Sequence, residues 1–190
     1  MYPFLRLAAV MARARRAPPM GLTDAATIRL RCWPWDCDMF GEMNNGRILT
    51  LFDLGRFDAG ERFGLSAMLK REGWGLAVAG SSTRYRKRIL PMARIEMRTR
   101  LVGWDEPGRF FYLVQEMWVG DACHAQALLR TAVTAKGRGA VPTAEVMAAL
   151  GRDEPSPALP KWVAAWVEAE STRPWPPVHA ADPRPGQSGA

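Results

Sequence analysis

Between residues 47 and 63 the apolar residues Ile48, Leu51, Phe52, Gly55, Ala59 and Phe63 recur at spacings of three and four, the stripe of a helix with one buried face. Two glycines sit inside it. Gly55 and Gly60 each cost about 1 kcal/mol against alanine in a helix interior, so their presence points to a helix held close against another element. Strands surround this helix in the sequence. One is expected over 26–33, where Ile28 and Leu30 alternate with Arg29 and Arg31, and another over 76–90, ending before Pro91. Over 94–101, Ile95, Met97, Thr99 and Leu101 alternate with Arg94, Glu96, Arg98 and Arg100. Residues 103–108 read as a turn, 110–119 as a strand, Gly120-Asp121 as a two-residue hairpin loop with glycine first, and 123–136 as the returning strand. Pro142 opens a short helix that Gly151 closes, and 161–170 forms a second with Trp162, Val163, Trp166 and Val167 on one side. One long helix after the first strand, followed by an antiparallel meander, is an α+β layer fold. The helix can be buried only if the sheet curls around it.

The chain of 190 residues is 48% apolar and 24% charged, enough to build a core, which excludes a wholly disordered protein. The expected organisation is a basic and apolar segment at 1–22, one domain at 23–151, a helical extension at 152–170 and a disordered tail at 171–190, where five prolines fall. No apolar run approaches the roughly 20 residues of a membrane-spanning helix. Near the N-terminus Phe4, Leu7, Val10 and Met11 have helical spacing, with Arg13, Arg15 and Arg16 after them, the reverse of the charge order in a secretory signal. That segment is expected to pack on its own domain; weak peripheral contact with a membrane is the alternative. Cys32, Cys37 and Cys123 are too few and odd in number for a disulfide framework, so they read as reduced thiols in the cytoplasm. A formal charge of +7 calls for an anionic partner.

The loop over 34–46 is polar yet carries Trp35, Met39 and Phe40, and it ends at the helix start, where Asn44 or Asn45 can serve as N-cap. Asp36 and Asp38 therefore stand just upstream of outward-pointing backbone N–H groups. A carboxylate beside free amide donors supplies two parts of a hydrolytic site. The amides hold a developing oxyanion while the carboxylate attacks or activates water. The same two aspartates can also simply cap a turn or offset the helix dipole.

The run Trp35-Asp36-Cys37-Asp38-Met39-Phe40-Gly41-Glu42-Met43-Asn44-Asn45-Gly46-Arg47 resembles the signature of the hotdog-fold acyl-CoA thioesterases: Asp-x-Asp, a glycine turn, Asn-Asn and a helix. Asp53-Leu54-Gly55-Arg56 is similar to the acidic-x-x-Arg segment that follows. The likeness continues through 82–87, 99–105 and 111–113, covers about residues 26–150, and points to the group around thioesterase superfamily member six. The resemblance implies a hotdog fold, a long central helix wrapped by a curved antiparallel sheet of about five strands. It also implies at least a homodimer, with the site between subunits, and hydrolysis of an acyl-CoA thioester without metal or organic cofactor. By the same resemblance Asp38 falls at the catalytic carboxylate of one clade, the Asn45 amide at the oxyanion donor, and Asp53 at the catalytic acid of a second clade. Asp53 can equally be a structural acid paired with Arg56 or Arg47. Gly46 falls at the same helix start, and Arg84 and Arg86, in a basic cluster with Lys87 and Arg88, are the candidates for the phosphates of coenzyme A. Many relatives have histidine where Glu42 stands. A third acid there would repel its neighbours, which leaves a non-catalytic member that binds acyl-CoA or a protein as the alternative.

Other chemistries find little support. There is no Gly-x-Ser-x-Gly elbow, and the only histidines are His124 and His179. Cys32, Cys37 and Cys123-His124 match no common zinc spacing, and no phosphate-cradling glycine loop occurs. Nucleic-acid binding is favoured by charge but lacks any recognition module, so no nucleic-acid partner is expected.

Overall fold

The structure, a computed structural model, describes residues 2–174 and 176. The chain divides into two compact units, Met1–Ala158 and Leu159–Ala190. In the first, helix α1 (Phe4–Ala14) precedes strand β1 (Ala26–Arg31), a 3-10 turn (Pro34–Asp36), the long helix α2 (Asn45–Arg62) and helix α3 (Leu65–Glu72). Strands β2 (Trp74–Tyr85), β3 (Arg94–Trp104), β4 (Phe111–Val119), β5 (Ala122–Ala135) and the two-residue β6 (Gly139–Ala140) follow, then helix α4 (Thr143–Ala149). The second unit contains helix α5 (Lys161–Ser171), which starts after Pro160. Most of the expected tail at 171–190 lies outside the described residues.

The five long strands form one antiparallel sheet in the order β1-β3-β4-β5-β2, with β6 added beside β5. This is the expected α+β arrangement: a curled half-barrel around α2. The pleat sorts β3 as its sequence does, with Ile95, Met97, Thr99 and Leu101 buried and Arg94, Arg98 and Arg100 exposed. Gly120, at φ 57°, makes the turn between β4 and β5. Several boundaries differ from the sequence reading; β1, expected over 26–33, ends at Arg31. Helix α3 fills the unassigned stretch before β2, set off by Gly64 and Gly73 with φ of 85° and 66°. Strand β2 begins at Trp74 and leaves the sheet after Tyr85, well before Pro91. Strand β3 continues through a bulge between Leu101 and Gly103 to Trp104, where composition alone read a turn. Helix α2 starts two residues early, at Asn45.

The central helix approaches the sheet most closely at Gly55. A β-carbon there would lie 2.8 Å from Met97 Sδ and 3.0 Å from Gln115 Nε2, and closer still to Thr99 Oγ1. Gln115, fully buried on β4, donates from Nε2 to the Phe52 carbonyl and to Thr99 Oγ1, each at 2.8 Å, and its Oε1 accepts from Arg56 Nη1 at 2.6 Å. These bonds satisfy every polar atom of the buried amide, which would otherwise weaken the core. Gly60 has a different role from Gly55. Its added β-carbon would meet only Leu65, at 3.5 Å, so the close approach expected at both glycines is confined to Gly55.

Helix α1 packs on its own domain as expected, burying Val10 and Ala14. Arg6 reaches Asp36 at 2.7 Å, and Arg13 reaches both buried Asp58 (2.7 Å) and the Thr27 carbonyl of β1 (3.0 Å). The β1 edge of the sheet is thereby partly blunted. Among the described residues, no strand or helix pairs with the far edge of β2.

Three substitutions test this packing. Gly55→Ala should cost about 1–3 kcal/mol because the facing groups are fixed in the core, whereas Gly60→Ala should be neutral or stabilise by up to about 1 kcal/mol. Asp58→Ala removes the buried acceptor of Arg13 and should cost about 2 kcal/mol. Urea denaturation midpoints would measure all three.

Candidate active site

The loop before α2 folds into a narrow ribbon. The Asp38 N–H donates to the Glu42 carbonyl (2.9 Å), Cys37 bridges Met43, and the Asn44 N–H donates to the Asp36 carbonyl (2.9 Å). The two aspartates of the Asp-x-Asp pair thus receive different tasks. Asp36 is buried against three donors: the Trp33 N–H at 2.9 Å, Arg6 Nη2 at 2.7 Å and Arg47 Nε at 3.2 Å. It ties α1, the 3-10 turn and α2 together, and two of its three donors are arginines that neutralise its charge. Asp38 lies two positions further along the ribbon, about 7 Å from the level of Asn44 at an extended-chain rise. Its Oδ1 accepts from the Phe40 N–H at 2.9 Å, and the side chain is half-buried. Among the described residues no ion pair engages it.

At the helix start, Asn44 is the N-cap, and its Oδ1 accepts from Gly46 N–H (2.9 Å) and Arg47 N–H (3.2 Å). The Asn44 carbonyl takes the Ile48 N–H at 3.0 Å. Among the described residues this leaves the Asn45 N–H as the one first-turn amide without an acceptor, at the positive end of the helix. A polar cleft of about 540 Å³ lies over this end, lined by Tyr2, Trp35, Asp36, Cys37, Asn44, Gly46, Arg47 and Thr50. Gly46 therefore borders the cleft, but the Asn44 side chain occupies its amide. Asp38 does not line this cleft within a single chain.

Asp53 sits two turns into α2, about 12 Å along the axis from Asn45. It makes a close ion pair with Arg56, which is in turn fixed by Gln115. Burial lowers the affinity of Arg56 for its proton, and the Asp53 charge works the other way. Tyr2 lies near this pair; burial first, then the Asp53 carboxylate, push its phenol above the ordinary value. Of the two partners considered for Asp53, the structure selects Arg56, while Arg47 goes to Asp36.

Glu42 is balanced by Arg88, whose Nε stands 2.9 Å from its carboxylate, which removes the third uncompensated acid anticipated at the mouth. Arg84 and Arg86 are both exposed, at the end of β2 and just beyond it, and neither has an ion pair among the described residues. A second, apolar cavity of about 70 Å³ lies between the C-terminal half of α2, the sheet and α4, with Ala59, Phe63, Leu101, Phe111 and Met147 in its walls and Arg56 at its side. Among the described residues no three His, Cys, Asp or Glu side chains are placed to hold a metal ion. No helix there is long and apolar enough to cross a membrane.

Several of the residues that organise this region escaped the sequence reading. Arg6 is thirty positions from Asp36, and nothing local marks their pairing. Gln115 was visible only as one amide, beside Glu116, in a mostly apolar strand.

Comparison with known proteins agrees with the architecture. The family model for the thioesterase-like superfamily matches residues 32–167. Protein THEM6 of Xenopus laevis is 30% identical over 166 residues, 87% of this chain and 78% of its own. Protein THEM6 of Drosophila melanogaster is 33% identical over 96 residues, 50% of this chain and 49% of its own. Among solved structures, YbaW of Escherichia coli superposes with a TM-score of 0.61 at 17% identity, over 66% of this chain and 96% of that one. The DHNA-CoA thioesterase of Staphylococcus aureus gives 0.57 at 13% identity, over 77% and 91%. With the wrapped helix, the strand order and the helix-start loop in place, the chain belongs to the thioesterase-like superfamily and has the hotdog fold.

Proposed function

We propose that this protein hydrolyses an acyl-CoA thioester to the free acid and coenzyme A. The observation that carries the reading is the unoccupied Asn45 amide at the start of α2, beside a loop that carries a carboxylate. The amide N–H donates to the thioester oxygen and holds the negative charge that develops when the carbonyl is attacked. Asp38 is the carboxylate of choice. Asp53 is neutralised by Arg56, whereas Asp38 has one oxygen committed to a turn N–H and no cation on it among the described residues. Asp38 either attacks the carbonyl, expelling the thiolate and leaving an anhydride for water to cleave, or withdraws a proton from the attacking water. The thiolate takes up a proton in either case. Arg84 and Arg86, free of ion pairs among the described residues, would hold coenzyme A phosphates, and the apolar cavity beside Arg56 would receive acyl carbon. Neither step calls for a metal or organic cofactor.

A homodimer completes the site in this reading. The unpaired β2 edge displays Leu76 and Val78, and the ribbon tip displays Met39 and Phe40, all exposed in one chain. Pairing two β2 edges would cover the first pair and bring the second toward the neighbouring subunit. With three free thiols, the cytoplasm is the compartment that suits the chain.

The reading is tested by thiol release from acyl-CoAs spanning acetyl to palmitoyl with aryl examples. Asp38→Asn should lower kcat by about 100-fold or more while leaving the fold intact. Asp53→Asn should act chiefly on stability, through the released Arg56. The opposite pattern would transfer the catalytic role to Asp53. Absence of turnover by the unaltered protein, with acyl-CoA binding seen in calorimetry, would make this a binding protein. Val78→Lys should shift the sedimentation coefficient from dimer to monomer; a monomeric unaltered protein would end the dimer proposal.

A further inference from the structure

The loop that carries Asp38 also contains two thiols that the hydrolase reading does not use. Cys32 follows β1 and Cys37 follows the 3-10 turn, and their sulfurs stand 3.6 Å apart, in van der Waals contact. Both point toward the Trp33 carbonyl, Cys32 Sγ at 3.9 Å and Cys37 Sγ at 3.6 Å. Their backbones are fixed on either side. The Cys32 N–H donates to the Ala93 carbonyl (3.0 Å), its carbonyl accepts from the Met92 N–H (2.6 Å), and the Cys37 N–H donates to the Pro34 carbonyl (3.1 Å). A disulfide bond is about 2.05 Å long, so the sulfurs have about 1.5 Å to close. The two thiols differ in access. Cys37 is half-buried and lines the polar cleft over the start of α2, whereas Cys32 is wholly buried behind it. Cys123 lies elsewhere, on β5, with its thiol against the Ala125 carbonyl.

We propose that Cys32 and Cys37 form a redox modification site in which a hydroperoxide entering the cleft converts the two thiols to a disulfide. Cys37 attacks the peroxide: the O–O bond breaks, its sulfur gains the terminal hydroxyl to become a sulfenic acid, and the other peroxide oxygen leaves with the Cys37 thiol proton, as water when the oxidant is hydrogen peroxide. Cys32 then attacks the Cys37 sulfur, the S–S bond forms, the S–O bond breaks, and the hydroxyl leaves as water with the Cys32 proton. Two thiols are oxidised and one peroxide is reduced. The order of attack follows from the surroundings. Burial, with the neighbouring Cys37 thiol, pushes the Cys32 thiol up to about 12, so the buried Cys32 is the resolving thiol and the cleft-lining Cys37 meets the peroxide first. The bond closes a loop over residues 32–37 and ties the cleft-lining Cys37 to the residue that follows β1. It is independent of whether the protein hydrolyses thioesters.

Trypsin makes the test direct, because residues 32–47 contain no internal lysine or arginine and both thiols fall in one peptide. The full-length protein is treated with hydrogen peroxide, then denatured and alkylated with N-ethylmaleimide, and the peptides are weighed. The expected product is a 32–47 peptide that is about 2 Da lighter than its dithiol form, takes no maleimide and regains two sites after dithiothreitol. Cys123 should take one maleimide throughout. In Cys32→Ser the resolving thiol is gone and Cys37 should pass on to sulfinic acid; in Cys37→Ser, Cys32 should stay reduced. Circular dichroism checks that both variants fold. The proposal is overturned if Cys37 of the unaltered protein goes to sulfinic acid with Cys32 still alkylated, or if the only disulfide runs through Cys123. It is equally overturned if both thiols remain reduced at peroxide concentrations that oxidise Met39 or Met43 in the same peptide.

Discussion

The buried contact between Gly55 of the central helix and the Thr99–Gln115 pair of the sheet holds the architecture together. A helix can lie this deep in a curled sheet only where it has no side chain at the closest point. It stays there because a polar clamp fixes its rotation: Gln115 binds the Phe52 carbonyl on one side and Arg56 on the other. Apolar packing alone would let the helix slide or turn by a residue at modest cost. Three directional hydrogen bonds in a low-dielectric interior do not allow this. The orientation of α2 fixes which residues point along its exposed face. Through Arg56, the clamp also determines the state of Asp53. An acid two turns from the helix start becomes half of an ion pair anchored to the sheet.

A second anchor holds the helix start. Asp36 gathers the Trp33 amide, Arg6 and Arg47 around one buried carboxylate, so α1 and α2 share a single pivot. Removing a carboxylate of this kind leaves unpaired cations near a buried site, which is why it is coupled to so much of the fold. Its position also explains the division of labour in the Asp-x-Asp pair. The carboxylate nearest the helix is consumed by structure, and the one two positions on has no ion pair among the described residues. The Asn44 side chain removes two of the first-turn amides from use in the same way. Among the described residues a single first-turn N–H, that of Asn45, is left without an acceptor.

Much of the fold was legible because burial follows periodicity. The alternation of 94–101 appears in the structure as read, and the stripe from Ile48 to Ala59 is buried, but the helix also buries Leu54, Asp58 and Gly60 outside it, and Phe63 is only half-buried. The boundaries that moved were set by features with no period. Helix α3 is bracketed by left-handed glycines at 64 and 73, and β3 crosses a bulge at Gly103 that composition presents as a turn. The site was only partly legible for a related reason. Asn44 and the Asp-x-Asp pair are neighbours in sequence, so local rules place them. Arg6 with Asp36, Arg88 with Glu42 and Gln115 with Arg56 join residues between 30 and 59 positions apart, and no local pattern marks such pairs.

The sequence by itself determined the helix, the strands, the loop that joins them and the chemistry available in that loop, because propensity, periodicity and capping act over a few residues. Only the tertiary structure decided which carboxylate is held by arginine and which is left open, and which amide remains free. It also brought two cysteines five positions apart into contact. Those outcomes depend on charge neutralisation and burial, and both are properties of three-dimensional neighbours.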